Sequence, residues 1–249
     1  MDLFRSVACL AILAFASPLW AADADVVLFL AKVQGKVTVT HGKKSHTGKP
    51  PESLVQGDKV ATGADSNAYL EFKNGSVVEV GSKTSVTVKQ LAEDKDSLKT
   101  RFLLAWGKFK AQVKKLATSS SSFEVEAGGV VTGVRGTVFG VDYDKDQKKV
   151  SAQTFEGSIF TRVKDHEEVI DKGYGAVVKT TGLAVKSPLT GAQMDSFKDF
   201  ENVSNELEQK KQELLGQLHG QVMEKVPGGI LPQQQEDDVK KTIGDKLPF

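Results

Sequence analysis

The sequence predicts an all-β domain followed by one amphipathic helix, and two patterns carry this prediction. Between residues 26 and 186, short segments alternate apolar and polar side chains, which is typical of strands with one buried face. Glycines separate these segments, and 17 of the 23 glycines of the chain lie in this region. Because no long helical segment comes between the strands, we expect an antiparallel stack of β-hairpins or a sandwich.

The clearest predicted strand runs from Ala68 to Phe72. Its alternate apolar residues are expected to face the core, whereas Tyr69 and Glu71 point the other way. Asn74 and Gly75 then supply the two positive-φ positions of a tight hairpin. Further strands are predicted at 35–39, 76–80, 107–114, 123–127, 129–134, 137–143, 150–155, 158–163 and 176–180.

A single amphipathic helix is predicted over residues 187–225, and 226–249 is predicted to be a flexible tail because it is rich in Pro, Gly and Gln. The apolar stripe of the helix has to be covered by something. It either forms a lid on the β domain or pairs with a partner helix, and self-association through this helix stays open. The stripe consists of Met194, Phe197, Phe200, Val203, Leu207, Leu214, Leu218 and Val222.

The N-terminus has the pattern of a secretory signal peptide over residues 1–21. Arg5 provides the positive charge, an apolar run follows from Val7 to Ala16, and small residues come next, so cleavage after either Ala21 or Ala24 is expected. The product is predicted to be periplasmic or secreted, with no stable membrane span after cleavage. Cleavage would also remove Cys9, the only cysteine of the chain.

Composition excludes several classes of function. The formal net charge is +1, and dedicated nucleic-acid binders usually carry a basic excess, so we expect no nucleic-acid partner. A single cysteine excludes a disulfide scaffold and zinc sites made of several thiolates. The four histidines have no metal-ligand spacing to one another, and no nucleophile motif is present. We therefore expect no metal, no cofactor and no catalytic residues.

Asp142, Asp144 and Asp146 alternate in a way that resembles a calcium loop. The pattern fails at Gln147, where such a loop has Gly, and at Gln153, where it has a bidentate Glu. The segment is therefore better interpreted as the solvated tip of a hairpin. Carboxylates that only the fold would bring together, as in glycosidases, are left open by the sequence.

A row of lysines marks one further candidate surface. Lys108, Lys110 and Lys114 alternate along a predicted strand, and Lys115 follows directly. Such a basic stripe is either a surface for an anionic partner or an ordinary solvated face of a sheet.

The most specific stretch, Gly128–Val141, contains Val-Arg-Gly-Thr-x-Phe-x-Val and resembles the hallmark of the FecR domain family. Upstream, Gly57–Gly63 resembles the family's Gly-Asp-x-apolar-x-Thr-Gly, and Ala68–Ser76 resembles its Asn-Gly hairpin. The resemblance extends from about residue 33 to 179, including later matches at 155–158 and 173–176. The matching signature residues are Gly57, Asp58, Thr62, Gly63, Asn74, Gly75, Gly133, Val134, Arg135, Gly136, Thr137 and Phe139.

These signature residues are expected to be structural. Gly133 and Gly136 flank Arg135, so the backbone there is expected to turn tightly or pack closely against another strand. Arg135 lies in an apolar run, where a buried guanidinium needs carbonyl or carboxylate partners. We expect it to connect loops within the fold rather than to bind a ligand.

The resemblance implies a non-catalytic, extracytoplasmic β domain. Well-known relatives combine a cytoplasmic segment that controls a sigma factor, one transmembrane helix and a periplasmic sensing part. Here the β domain follows the export signal closely, so we do not expect direct control of a sigma factor. The sequence favours protein–protein interaction in envelope signalling or assembly, with an unidentified envelope protein or cell-wall polymer as partner. The alternative is a structural binder of peptidoglycan or surface polysaccharide.

Overall fold

The computed structural model describes residues 28–94, 97–116, 118–134, 136–179 and 184–224. This part of the chain forms seventeen strands and one helix, which confirms the predicted all-β fold with a C-terminal helix. The predicted signal peptide, the predicted tail and Arg135 lie outside the described residues.

The first nine strands cover the N-terminal half of the described chain. Most of them pair with a neighbour through a short turn, as hairpins do. The strands are β1 Leu28–Gln34, β2 Val37–His41, β3 Lys44–Thr47, β4 Glu52–Leu54, β5 Lys59–Thr62, β6 Asn67–Phe72, β7 Val77–Val80, β8 Ser85–Asp94 and β9 Ser97–Gln112.

Eight further strands and the helix follow. The strands are β10 Ser122–Ala127, β11 Val130–Val134, β12 Val138–Asp144, β13 Lys149–Glu156, β14 Ser158–Val163, β15 His166–Asp171, β16 Tyr174–Lys179 and β17 Ala184–Pro188, and the helix is α1 Gly191–Glu224.

The strands form two layers that share β9. Sheet I has the order β4–β1–β6–β7–β9–β12–β13–β16–β17, and only the C-terminal half of β9 takes part. Sheet II has the order β3–β2–β5–β8–β9–β10–β11–β14–β15 and uses the N-terminal half. The fold is therefore a sandwich with one strand common to both layers.

Strand β9 passes from sheet II to sheet I at Gly107. Up to Trp106 it pairs with β8, and from Phe109 onward it pairs with β7. Gly107 has a φ of 104°, and a Cβ built there would lie only 2.6 Å from Thr84 Cα. Glycine meets both requirements because it has no side chain and tolerates positive φ.

A closed ring of five buried phenylalanines fills the space between the sheets. Sheet II contributes two of them and sheet I contributes three, and none is more than 1% exposed. Neighbouring ring centroids lie 5.3 to 6.4 Å apart, mostly in tilted or edge-to-face arrangements, which aromatic pairs favour. The rings follow one another in the order Phe72, Phe102, Phe109, Phe139 and Phe123, and then return to Phe72.

Helix α1 packs on the outer face of sheet I, as the first of the two alternatives drawn from the sequence expects. A capping box starts it, because Gln193 Oε1 accepts from the backbone N–H of Thr190 at 2.8 Å and Thr190 Oγ1 accepts from that of Gln193 at 3.3 Å. Phe197 and Phe200 are each 1% exposed and belong to a second apolar cluster. Its other members are Ala31, Tyr69, Val77, Val138, Phe155, Leu189, Val203 and Leu207.

Two features differ from the sequence prediction. First, β9 and β10 pair in parallel, because the chain crosses back to sheet II after β9 has ended in sheet I. Second, Tyr69 and Glu71 were expected on an outward-facing surface but are only 4% and 2% exposed. Sheet I is covered on both faces, since the core lies on one side and α1 on the other.

We predict that Gly107→Ala destabilises the fold by about 3 kcal/mol, because the added methyl group meets Thr84 at an unfavourable φ. Gly42→Ala is the matched control. Gly42 also has a positive φ, of 57°, but nothing lies within 4 Å of a Cβ built there, so we expect a loss of about 1 kcal/mol. Urea unfolding of both variants measures the difference, and equal losses would show that the bend does not depend on close packing.

A candidate interaction cleft beneath the helix

A polar cleft of about 370 Å³ lies between the first turns of α1 and the outer face of sheet I. Strands β7, β9 and β12 run side by side beneath it and project charged side chains into it. Because α1 starts above these strands, the cleft has a wall of helix and a floor of sheet. Its lining consists of Asn67, Glu79, Gly81, Ser82, Lys108, Lys110, Asp142, Gln153, Ala192, Gln193, Ser196 and Phe197.

Lys110 connects the floor of the cleft to the helix. Its Nζ lies 3.3 Å from Glu79 Oε1 and donates to the backbone oxygen of Ser196 at 3.1 Å. The side chains of Lys110 and Glu79 are only 19% and 11% exposed. The pair therefore neutralises two desolvated charges and also fixes the first turns of α1.

The two acids of the cleft have raised pKa values. Burial is the main cause for Glu79, and the nearby Lys110 only partly offsets it. Burial also raises the pKa of Asp142, against a hydrogen bond from Gln153 Nε2 at 3.1 Å and the positive charge of Lys108. Each carboxylate is thus held in a partly dry environment that disfavours its charged form.

On the floor of the cleft, each acid lies next to a lysine and the two acids do not lie next to each other. Glu79 lies opposite Lys110 in the strand register, and Asp142 lies opposite Lys108. Strand β9 separates the two acids, so their backbones are about 10 Å apart across the sheet. The cleft consequently offers donors and acceptors side by side, which suits a ligand that carries both. In the described parts of the chain, no group of three or more His, Cys, Asp or Glu side chains is placed to hold a metal ion.

The structure places the predicted lysine row in two different environments. Lys108 is exposed at the cleft, and Lys110 is partly buried within it. Lys114 and Lys115 are exposed but follow the end of β9, outside the cleft lining. Only the first two lysines are therefore brought together at the candidate site.

Two signature residues, Thr62 and Gly63, hold the turn that contributes Gly81 and Ser82 to the lining of this cleft. Thr62 Oγ1 donates to the backbone oxygen of Gly81 and accepts from the N–H of Thr84 at 3.0 Å. The backbone oxygen of Gly63 accepts from the N–H of Lys83 at 2.8 Å. These bonds hold the turn at 81–84, and Thr84 Oγ1 then accepts from the backbone N–H of Lys108 at 2.8 Å.

Gly57 and Asp58 form a separate turn. The buried Asp58 carboxylate accepts from the Val55 N–H at 2.9 Å and from His41 Nδ1 at 2.6 Å. Gly57 has a φ of 97°, and its N–H donates to the backbone oxygen of Val88 at 2.8 Å. The turn before β5 is therefore connected to β8 by the backbone groups of both residues and to β2 by the Asp58 side chain, and neither residue lines the cleft.

The Asn-Gly hairpin and the hallmark segment are packed within the fold. Asn74 Oδ1 accepts from the Ser76 N–H at 2.9 Å, and Gly75 has a φ of 79°. A Cβ at Gly133 would lie 2.5 Å from Phe160 Cε1. Gly136 also has a positive φ, and its neighbours in the motif, Val134, Thr137 and Phe139, are buried.

The sequence interpretation did not single out Glu79 or Gln153 as site residues, and it considered Asp142 only as part of a calcium loop. Asp144 Oδ1 accepts from the N–H groups of Asp146 and Gln147, which forms the turn of the hairpin tip. A signal for the cleft was present in Val77-Val78-Glu79-Val80, where adjacent apolar residues indicate a strand covered on both faces.

Comparison with known proteins identifies the domain. Residues 58–160 match the family model described as FecR protein. Residues 58–160 form a FecR domain. The resemblance drawn from the hallmark motif is therefore confirmed, and the FecR domain includes Lys108, Lys110 and Asp142 of the cleft, whereas α1 lies beyond it.

Two crystal structures are similar to this chain at low identity. Both are of a protein from Parabacteroides distasonis ATCC 8503 that is provisionally described as an anti-sigma factor, at 2.50 and 1.65 Å resolution. Each is 14% identical, has a TM-score of 0.44 and is matched over 52% of this chain and 59% of its own. The chain thus spans less than two thirds of that protein. No curated protein matches the chain.

The helical residues that the structure describes contain no segment with the length and hydropathy needed to cross a bilayer.

We predict that Lys110→Met destabilises the protein by about 3 kcal/mol, because Glu79 and the Ser196 carbonyl lose their buried ammonium partner. Lys198→Met is the control, since the Lys198–Asp195 pair is 61% and 73% exposed and should contribute at most about 0.5 kcal/mol. Guanidinium unfolding of both variants tests this. Losses of the same size would mean that the buried pair does not hold the helix.

We also predict that Asp142→Asn stabilises the protein at pH 7 and not at pH 3. Burial raises the pKa of Asp142 above 3.8, the ordinary value that the residue has in the unfolded chain. Just above pH 3.8, the folded protein therefore still holds a proton that the unfolded chain has released. Stability therefore falls as the pH rises through the interval between these two values. The asparagine variant cannot ionise and escapes this loss. Thermal unfolding at both pH values measures the stability difference between the variant and the parent. A stability gain that persists at pH 3 would show that the effect does not come from the charge of Asp142.

Proposed function

We propose that this chain is a non-catalytic, extracytoplasmic FecR-type protein that binds another protein through the cleft beneath α1, in envelope signalling or assembly. The observation that carries the proposal is the FecR match over residues 58–160, the region that supplies most of the cleft floor. The export signal predicted at residues 1–21 supports the extracytoplasmic location.

The charges of the cleft favour a protein segment as the ligand. Lys108 is exposed, and no described side chain accepts a hydrogen bond from its Nζ. Asp142 and Glu79 provide acceptors within the same cleft. A peptide segment carries side chains of both signs together with backbone donors and acceptors, so it can complement this alternation. Such complementarity contributes more to specificity than to raw affinity.

The helix gives the cleft its shape and is therefore part of the proposed site. Ser196 and Phe197 of α1 line the cleft opposite the strands, and Lys110 joins the two sides. A partner that contacts α1 from above would also contact Lys108 at the cleft. The proposal thus assigns the interaction to the helix–sheet junction and not to the sheet edges.

We predict that a photo-reactive residue at position 108 crosslinks in vivo to a protein other than the chain itself, and that the same residue at position 43 does not. Lys43 is an equally exposed lysine in the distant β2–β3 hairpin and serves as the matched control. Asp142→Asn, which removes the negative charge opposite Lys108 and is not expected to destabilise the fold, should reduce the adduct at least fivefold without lowering the amount of exported protein.

Three results would contradict the proposal. Self-crosslinks alone at position 108 would remove the support for a heterologous partner. The same adduct at positions 108 and 43 would mean that the cleft is not the contact. Sedimentation of the protein with purified sacculi, without any protein adduct, would favour the alternative function as a structural binder of peptidoglycan.

A further inference from the structure

An exposed tryptophan lies at the bend of β9, two residues before Lys108. Trp106 is 40% exposed, although it is next to the glycine through which the strand enters sheet I. Among the described residues, nothing accepts a hydrogen bond from its indole N–H. A buried indole N–H usually has a partner, whereas an exposed one can donate to a ligand. The ring therefore offers an apolar face and a free donor to solvent.

Two lysines from different parts of the chain converge on this ring. Lys59 Nζ, from β5, lies 5.7 Å from the ring centroid, and Lys145 Nζ, from the turn after β12, lies 5.2 Å from it. Both distances are within the range of a cation–π contact. Neither ammonium group has a carboxylate partner among the described residues. By contrast, an ion pair is formed by each of the partly buried cations Lys32, Arg101, Lys110, Arg162 and Lys211.

A third lysine lies near the ring, and no acid next to Lys59 or Lys145 in the sequence forms an ion pair with either of them among the described residues. Lys108 follows Trp106 on β9, and two extended residues span about 7 Å. Two of these acids have other partners: the Asp58 carboxylate accepts from the Val55 N–H and from His41 Nδ1, and Asp144 Oδ1 accepts two backbone N–H groups. Asp146 is exposed beside Lys145 and partly reduces the positive potential.

We propose that Trp106, Lys59 and Lys145 form a binding site for an acidic polysaccharide, separate from the cleft. The C–H face of a pyranose ring packs on the indole, whose flat apolar surface suits it. The two ammonium groups then leave the ring faces and bind carboxylates of neighbouring sugar units. Both ammonium groups lie within 6 Å of one ring centroid, so the two Nζ atoms are at most about 11 Å apart, within reach of carboxylates on one short glycan segment.

A glycan fits these features better than an acidic peptide does. An acidic peptide would use the two lysines but would have no particular need for the exposed indole. A neutral glycan would use the indole but would leave two unpaired ammonium groups beside it. Only a ligand that combines a ring with negative charge uses all three side chains.

The test uses the full chain with Trp20→Phe, so that Trp106 is the only tryptophan whether or not the predicted signal peptide has been removed, and its fluorescence reports on the site. The probes are an alginate oligosaccharide, a malto-oligosaccharide of the same length and an oligoglutamate with the same number of carboxylates. We expect a saturable change with alginate that weakens as salt is added, no change with the neutral sugar, and at least tenfold weaker binding of oligoglutamate.

Variants assign the binding to the site. Lys59→Ala with Lys145→Ala should weaken alginate binding at least tenfold, whereas the control pair Lys43→Ala with Lys44→Ala removes the same charge elsewhere and should change it less than twofold. Trp106→Ala, followed by calorimetry, should also weaken it at least tenfold. All variants should keep the melting temperature of the parent, because the side chains are exposed or partly exposed.

Three outcomes would overturn the proposal. Oligoglutamate binding as tightly as alginate would assign the surface to an acidic protein segment. Equal effects of the two lysine pairs would mean that only net charge matters. An unchanged affinity in Trp106→Ala would remove the indole from the site. The lysine variants lie outside the cleft lining, so the position-108 crosslink is expected to survive them and the two proposals fail independently.

Discussion

The structure depends on the passage of one strand between two sheets. Gly107 is packed against Thr84 at a positive φ, and this contact lets β9 change partners on both sides within three residues. As a result, Phe102 points into the core from sheet II and Phe109 does so from sheet I. The ring of five phenylalanines closes around these two, and it includes Phe139 of the FecR hallmark. The position of the cleft follows as well, because its lysines come directly after the bend.

The outer face of sheet I combines apolar and charged contacts beneath one helix. Phe197 and Phe200 provide the apolar area, whereas the charged contacts come in pairs, such as Lys211 with Glu71 at 3.0 Å. The pKa values of two glutamates on this face shift in opposite directions. Hydrogen bonds and charges from Lys210 and Lys32 lower the pKa of the exposed Glu206 to about 2, while burial raises that of Glu79. Acid therefore weakens the first kind of contact and relieves the desolvation of the second.

Much of the fold could be predicted because its determinants are local. Alternating apolar residues, the Asn74-Gly75 turn and the helix period identified the all-β fold and the final helix. Residues whose environment is set from a distance could not be predicted. Glu71 and Tyr69 have the pattern of a solvated face, and only the docking of α1 buries them. The same reason applies to Lys110, since a stripe of lysines gives no sign of whether a helix will cover it.

A strand that belongs to both layers has a consequence for folding. Neither sheet can separate from the other without breaking pairs along β9, so the sandwich is expected to unfold as one cooperative unit. Helix α1 pairs with no strand and is held on sheet I by one apolar cluster and a few ion pairs. It is thus the natural candidate for a partial unfolding step below the global transition. Amides of the helix should then exchange with solvent earlier than those of β9, and the same hierarchy would allow α1 to rearrange while the FecR domain stays intact.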